Sequence, residues 1–188
     1  MTALYRTIVA DPPWPMGAPH GVRTKSTKGG WAPYIGQIAT DVPYSMMTLD
    51  EIAALPIGSL AAPGAHLYVW TVNRFVEDAY RIVREWGFKP STLLTWCKAP
   101  MGIGMGGAFS LTTEHVLFCR RGRIADQTRV DSTWWQWKRG PHSAKPDAFL
   151  DIVEQVSPGP YAELFARRAR FGWDYPIGDQ ALGGRTAG

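Results

Sequence analysis

Five short runs of branched and aromatic residues constrain this chain more than any other feature. IVA (8–10), HLYVWTV (66–72), STLLTWCK (91–98), EHVLFCRR (114–121) and YAELFA (161–166) have the length and composition of buried strands. Segments of helical period stand between them. RFVEDAYRIVREWG puts Phe75, Ala79, Ile82, Val83 and Trp86 on one helical face and closes at Gly87. TLDEIAAL begins with Thr48 and Glu51 at capping-box spacing and stops at Pro56. Pro146 takes the first helical position of PDAFLDIVEQVS, which stops at Ser157, Pro158 and Gly159. Strands alternating with helices predict an α/β fold with a doubly wound, mostly parallel sheet. A length of 188 residues fits one domain, 1–188, with a core that needs no staples.

Three segments follow neither period. Residues 15–40, 99–113 and 121–144 are expected to be mobile loops, and the Gly-rich tail 181–188 to be frayed. With 20 basic against 16 acidic residues the chain is mildly cationic, which is compatible with a polyanionic partner. Nine tryptophans exceed ordinary usage, so some indoles are expected to touch ligand. Cys97 and Cys119 fall in strand-like runs and match no metal-ligand spacing, which predicts reduced core thiols, no metal site and a reducing cytoplasm. The N-terminus shows no export signal, and no apolar run reaches the roughly 18 residues of a membrane span.

The strand IVA runs into DPPW, residues 11–14, at the sheet end where α/β proteins bind ligands. Asp11 is an acceptor-only carboxylate, Pro12 and Pro13 fix the backbone and leave their carbonyls as acceptors, and Trp14 brings a flat apolar face. Together they suit a planar ligand carrying an exocyclic amino group, with two acceptors on its N–H bonds and the indole on its ring. The same four residues also suit a proline-rich turn with an incidental acid and a packing tryptophan.

DPPW resembles the catalytic motif of amino-group methyltransferases acting on adenine. The chain from about residue 8 to 180 is similar to the MT-A70-like family, the family of the eukaryotic mRNA adenine-N6 methyltransferase catalytic subunit and its phage and bacterial DNA-methylating relatives. PYSMMTLDEI, HLYVWTVNRF, GFKPSTLLTWCK, TEHVLFCRRG, HSAKPDAF and SPGPYAELFARRARFGWDYPIGDQ resemble that family's motifs in the same order. The resemblance implies a Rossmann-like methyltransferase fold with the catalytic motif ahead of the cofactor-binding one, S-adenosylmethionine as methyl donor, and adenine N6 in nucleic acid as acceptor. It implies Asp11, Pro12, Pro13 and Trp14 as the amine clamp and Ala10, Asp11, Lys145, Glu163, Arg167, Asp179 and Gln180 as the cofactor side. Tyr44 and Glu114 are implied to border the base pocket, whereas His115 is expected to be a satisfied core histidine. The chain departs from the family at Asp179, where Asn is usual, and at Ala169-Arg170, which replace a His-Asn pair of the eukaryotic enzyme.

The long loops carry the residues expected to read a polymer. Arg23, Lys25, Lys28, Trp31 and Tyr34 lie in the first, and Arg121, Arg123, Arg129, Trp134, Trp135, Trp137, Lys138 and Arg139 in or beside the last. Cations for phosphates beside aromatic faces for bases suit a base-flipping or single-strand reader. The leading expectation is an adenine-N6 methyltransferase acting on DNA with low or short sequence specificity, as monomer or homodimer or with a partner subunit. RNA as acceptor, cytosine-N4 methylation and a catalytically silent binding scaffold are the alternatives. The intact DPPW speaks against the scaffold, and Asp rather than Ser at position 11 speaks against cytosine.

Overall fold

The computed structural model describes residues 4–16, 23–25, 31–33, 46–98, 108–125, 128–138 and 144–178. In chain order the strands are β1 (Tyr5–Ala10), β2 (Arg23–Lys25), β3 (Trp31–Pro33), β4 (Ala61–Thr71), β5 (Lys89–Lys98), β6 (Thr113–Arg121), β7 (Trp134–Trp137), β8 (Tyr161–Leu164) and β9 (Trp173–Asp174). The helices are α1 (Leu49–Ala53), α2 (Ile57–Leu60), α3 (Val76–Glu85), entered through a 3-10 turn at Asn73–Phe75, and α4 (Asp147–Val156).

The described residues form one seven-stranded sheet in the order β7-β5-β6-β4-β1-β8-β9, with β2 and β3 as a separate antiparallel pair. β1 pairs in parallel with β4 and β8, β5 with β7, and β8 with β9. β6 alone is reversed, antiparallel to β4 and to β5. The mostly parallel sheet expected from the strand and helix alternation is therefore present, with one inverted strand.

Side chains alternate across the sheet, so each strand feeds two cores. Ile8, Leu67, Val69 and Leu117 face the side covered by α1 and α3, where Ile52, Ala79, Ile82 and Val83 are completely buried. Val9, Tyr68, Trp70, Trp96 and Val116 face the other side, covered by Phe149 and Val153 of α4. The expected face of α3 is the buried one, and Gly87 closes that helix at φ +82°, a conformation that costs a residue with a Cβ. α1 has its capping box: Thr48 Oγ1 accepts from the Glu51 N–H, and the Glu51 carboxylate accepts from the Thr48 N–H.

Three local expectations need correction. β4 starts at Ala61, not His66, because Tyr5 of β1 pairs with that residue despite the Pro63-Gly64 breakers. Pro146 is the residue before the helix rather than its first residue. The segment 121–144 is not wholly loop: Trp134–Trp137 form β7 on the free edge of β5, with the Thr95 N–H donating to the Thr133 carbonyl at 2.8 Å. WWQW lacks the clean alternation that marks a strand, and pairing with β5 supplies what the pattern does not. Cys119 is buried and Cys97 half-buried, and both are free thiols. Burial pushes the Cys119 thiol up to about 12. No helix among the described residues is long and apolar enough to cross a membrane.

Candidate active site

Period-two alternation gathers the charged residues on the α4 face. Asp11 follows Val9 by two positions, Glu163 is the register partner of Val9, Glu114 precedes Val116 by two, and Lys98 follows Trp96 by two. The inversion of β6 matters here. It brings the start of that strand, Glu114, to the end of the sheet where β1, β4 and β5 finish.

The charges form a chain of alternating sign. Lys98 Nζ lies 2.5 Å from Glu114 Oε1, Lys145 Nζ lies 3.4 Å from Glu114 Oε2 and 2.9 Å from Asp11 Oδ2, and Arg167 Nη2 lies 3.8 Å from the same Asp11 oxygen. Both lysines sit over indoles, Lys145 at 5.2 Å from the Trp70 ring and Lys98 at 5.5 Å from that of Trp96. Burial pushes the Lys145 ammonium down, but the Asp11 and Glu114 carboxylates outweigh it and hold the group above its ordinary range. Burial likewise works against the Glu114 carboxylate, and Lys145 and Lys98 overcome it, so that acid is held below its usual range. Glu163 has weaker help. Burial and then the Asp11 charge push it up to about 7, against weaker opposition from Arg168 and Arg170.

A cleft of about 360 Å³ opens beside this chain, between the start of α4 and the ends of β1 and β8. Asp11, Trp70, Lys145, Glu163, Phe165 and Arg167 line it. Its volume lies within the ~300–1,000 Å³ of small-molecule sites, and its position is the ligand-binding end of an open α/β sheet. Among the described residues no cluster of His, Cys, Asp and Glu could hold a metal ion.

The turn after Asp11 is firmly anchored. The Pro12 carbonyl accepts the Trp14 N–H at 2.8 Å and the Pro13 carbonyl accepts the Met47 N–H at 2.9 Å. Each carbonyl oxygen keeps a second lone pair. Trp14 is not where the sequence reading expects it. Its ring stacks on Phe75 at 5.5 Å, its Nε1–H donates to the Trp70 carbonyl at 2.9 Å, and 5% of it is exposed. The indole fixes the turn onto the α3 side of the sheet, because an apolar ring next to Phe75 gains more from the core than from water. His115 is half-buried rather than a core residue, but its ring is satisfied, with Nε2 at 2.8 Å from Asn73 Oδ1 and Nδ1 at 3.2 Å from Thr95 Oγ1. Burial lowers its pKa, partly offset by Glu114.

The residues expected to read a polymer are dispersed. Arg121 stands seven residues along the inverted β6 from Glu114, which is about 24 Å of strand, and its guanidinium donates to the Gly58 carbonyl at 2.5 Å. The inversion therefore removes Arg121 from this end of the sheet. Trp137 closes β7 beside Lys98, and Lys138 follows it, at the cleft end. Trp135 and Trp137 stack with ring centres 5.5 Å apart on the α4 face, whereas Trp134, 59% exposed, points to the opposite face. The backbones of Arg23, Lys25 and Trp31 lie in β2 and β3. Lys28, Tyr34, Tyr44, Arg139, Asp179 and Gln180 lie outside the described residues. Lys98 is the functional side chain that the sequence reading missed. The only sequence signal is that it follows Trp96 by two residues in a strand-like run; that Trp96 pairs with Glu114 is visible only in the structure.

A cationic and acidic cleft at the carboxyl ends of these strands is found in a chain whose residues 5–180 match the MT-A70 family model. The type II methyltransferase M.MunI of Mycoplasma is 30% identical over 178 residues, spanning 90% of this chain and 75% of that protein. The N(6)-adenosine-methyltransferase MT-A70-like proteins are more distant: the putative one of Medicago truncatula is 26% identical over 190 residues, and that of Drosophila melanogaster 27% over 177. This chain spans only 27% and 25% of those two proteins. With the family model covering nearly the whole sheet and DPPW at the mouth of the cleft, the chain belongs to the MT-A70 family of methyltransferases.

Proposed function

We propose that this protein transfers a methyl group from S-adenosylmethionine to N6 of adenine in DNA, with low or short sequence specificity. The observation that carries the reading is the Asp11 carboxylate, held by Lys145 at 2.9 Å at the mouth of the cleft and followed by a tethered Pro-Pro turn. Adenosine N6 is the position named for the plant and fly relatives. DNA is preferred over RNA because the match runs across three-quarters of the type II methyltransferase but only about a quarter of the adenosine enzymes.

The cleft fits the donor chemically. Lys145 and Arg167 suit a carboxylate and hydroxyl groups, and Trp70, Phe149 and Phe165 suit an adenine ring. Asp179 and Gln180 join this set by resemblance to the family. S-adenosylmethionine, when bound, supplies an electrophilic methyl group. The protein's part is to hold the acceptor. An aromatic amine is a poor nucleophile because its lone pair is delocalised into the ring. Asp11 and the remaining lone pair of the Pro12 carbonyl accept the two N–H bonds, which favours the pyramidal nitrogen and aims its lone pair. Lys145 holds the Asp11 carboxylate in place at 2.9 Å, and Glu114 and Lys98 fix Lys145 in turn. Alkylation makes the nitrogen-bound proton acidic, so no strong base is required. Trp135 and Trp137 on β7 and Lys138 just after it would meet the polymer, with Arg23, Lys25, Trp31 and Tyr44 assigned to the same role from the sequence alone.

Labelled S-adenosylmethionine offered with single-stranded DNA, duplex DNA and RNA, followed by nucleoside digestion, tests the reading. The expected outcome is N6-methyladenine from DNA, abolished in Asp11→Ala. Methylation of RNA alone would move the acceptor to RNA, and absence of both transfer and cofactor binding would leave a scaffold.

A further inference from the structure

The segment after β8 is nearly devoid of regular structure, yet two arginines outside the proposed chemistry tie it to α4. On α4, Asp147, Asp151 and Glu154 follow one another at spacings of four and three, which places them on one helical face. Facing them, Arg168 and Arg170 are two residues apart in a stretch without regular secondary structure. Arg168 donates through Nη1 and Nη2 to the Asp147 carboxylate at 2.9 and 2.6 Å, and through Nη2 to the Lys145 carbonyl at 2.9 Å. Arg170 grips Glu154 with a two-pronged fork, Nε to Oε1 at 2.8 Å and Nη2 to Oε2 at 2.7 Å, and reaches Asp151 at 2.6 Å. The Trp173 indole donates to the same Glu154 at 2.7 Å. The Tyr175 hydroxyl accepts the Arg170 N–H and donates to the Arg170 carbonyl.

These contacts join the two walls of the cleft. Arg167, Arg168, Ala169 and Arg170 form one wall, and Lys145 and Asp147 belong to the other. Arg168 bonds the peptide carbonyl of Lys145 itself, whose ammonium holds Asp11. Arg170 stands at one of the two positions where this sequence departs from the eukaryotic His-Asn pair. Its guanidinium is bound to the helix carboxylates of Asp151 and Glu154. Half-exposed ion pairs contribute little to global stability. A forked arginine fixes geometry, however, and a wall already ordered before binding avoids the entropy of ordering it later.

We propose that Arg168 and Arg170 are positioning residues that strap residues 166–175 to α4, and so preform the cofactor cleft and set Lys145 against Asp11. This rests on the reading of the cleft as the S-adenosylmethionine site.

Calorimetric titration of S-adenosylhomocysteine into the full chain tests it, using Glu154→Gln, Arg168→Ala, Arg170→Ala and the charge exchange Glu154→Arg with Arg170→Glu. Glu154 is outside the cleft and its glutamine is nearly isosteric, so that variant should fold where others fail. Each single change should weaken binding about tenfold, which is about 1.4 kcal/mol. The exchange should recover part of the loss, and amide hydrogen exchange should quicken over 165–175. In Glu154→Gln the KM for S-adenosylmethionine should rise while kcat at saturation holds. Folded variants that bind like the wild type, or a lowered melting temperature with unchanged affinity below it, would overturn the strap and leave the cofactor reading standing. A wild type that does not bind S-adenosylhomocysteine would overturn the cofactor reading and the strap with it.

Discussion

Lys145 stands between Asp11 and Glu114, and removing it would leave two carboxylates facing each other at low exposure. Lys145→Met should cost about 2–3 kcal/mol in urea unfolding, because stranding a buried charge costs more than the pair contributes. It should also abolish S-adenosylhomocysteine binding. A variant of wild-type stability would show that the carboxylates find other partners. Glu163 supplies a second test, through pH. Its folded-state pKa of about 7 lies above its unfolded value of about 4.3, so its contribution is fully present below pH 4 and is lost as pH rises toward 7. Glu163→Gln has no charge to bury. Its unfolding free energy should gain on the wild type between pH 5 and 8, and a difference that stays flat with pH would rule out the raised pKa. Both residues were legible as site candidates from the family motifs. Their electrostatic states were not, because these depend on burial and on charges that folding brings together, Asp11 among them from the far end of the sequence.

At the scale of elements, the turn that follows β8 is held by backbone shape. Phe165 takes a left-handed φ of +61° and its N–H donates to the Ile177 carbonyl at 2.9 Å, while Gly178 sits at φ +136°. A Cβ on Gly178 would stand 2.7 Å from the backbone N and Cα of Phe165, closer than real contacts allow. Gly178→Ala should therefore destabilise by roughly 2–3 kcal/mol and weaken cofactor binding, since Phe165 lines the cleft. A thermal melt with a binding titration checks both. Elements with strong local signals were readable from sequence: the Thr48–Glu51 capping box, and the face of α3 that ends at Gly87. β7 and β9 were not. They are short edge pieces whose hydrogen-bond partners lie in other strands, and local pattern carries no record of that pairing.

For the whole molecule, the inversion of β6 divides the basic residues between the two ends of the sheet. Lys138 lies at the cleft end beside Lys98, and Arg121 at the far end against Gly58. If the polymer crosses the cleft end, Lys138→Ala should weaken DNA binding and lower the slope of log K against log salt by about 1. Arg121→Ala should leave both unchanged. Fluorescence anisotropy across a salt series separates the two, and an equal effect at Arg121 would place the polymer elsewhere.

The sequence by itself determined the strand and helix alternation, the place of DPPW at the end of the first strand, and the family to which the ordered motifs belong. These depend on local periodicity and on residues adjacent in the chain. Only the tertiary structure decided the direction of β6, the retreat of Trp14 into the core beside Phe75, and the joining of Lys98, Glu114, Lys145 and Asp11 into one alternating chain of charge. Those outcomes depend on which strand finds which partner. That choice is made by the packing of two whole faces, and no single segment encodes it.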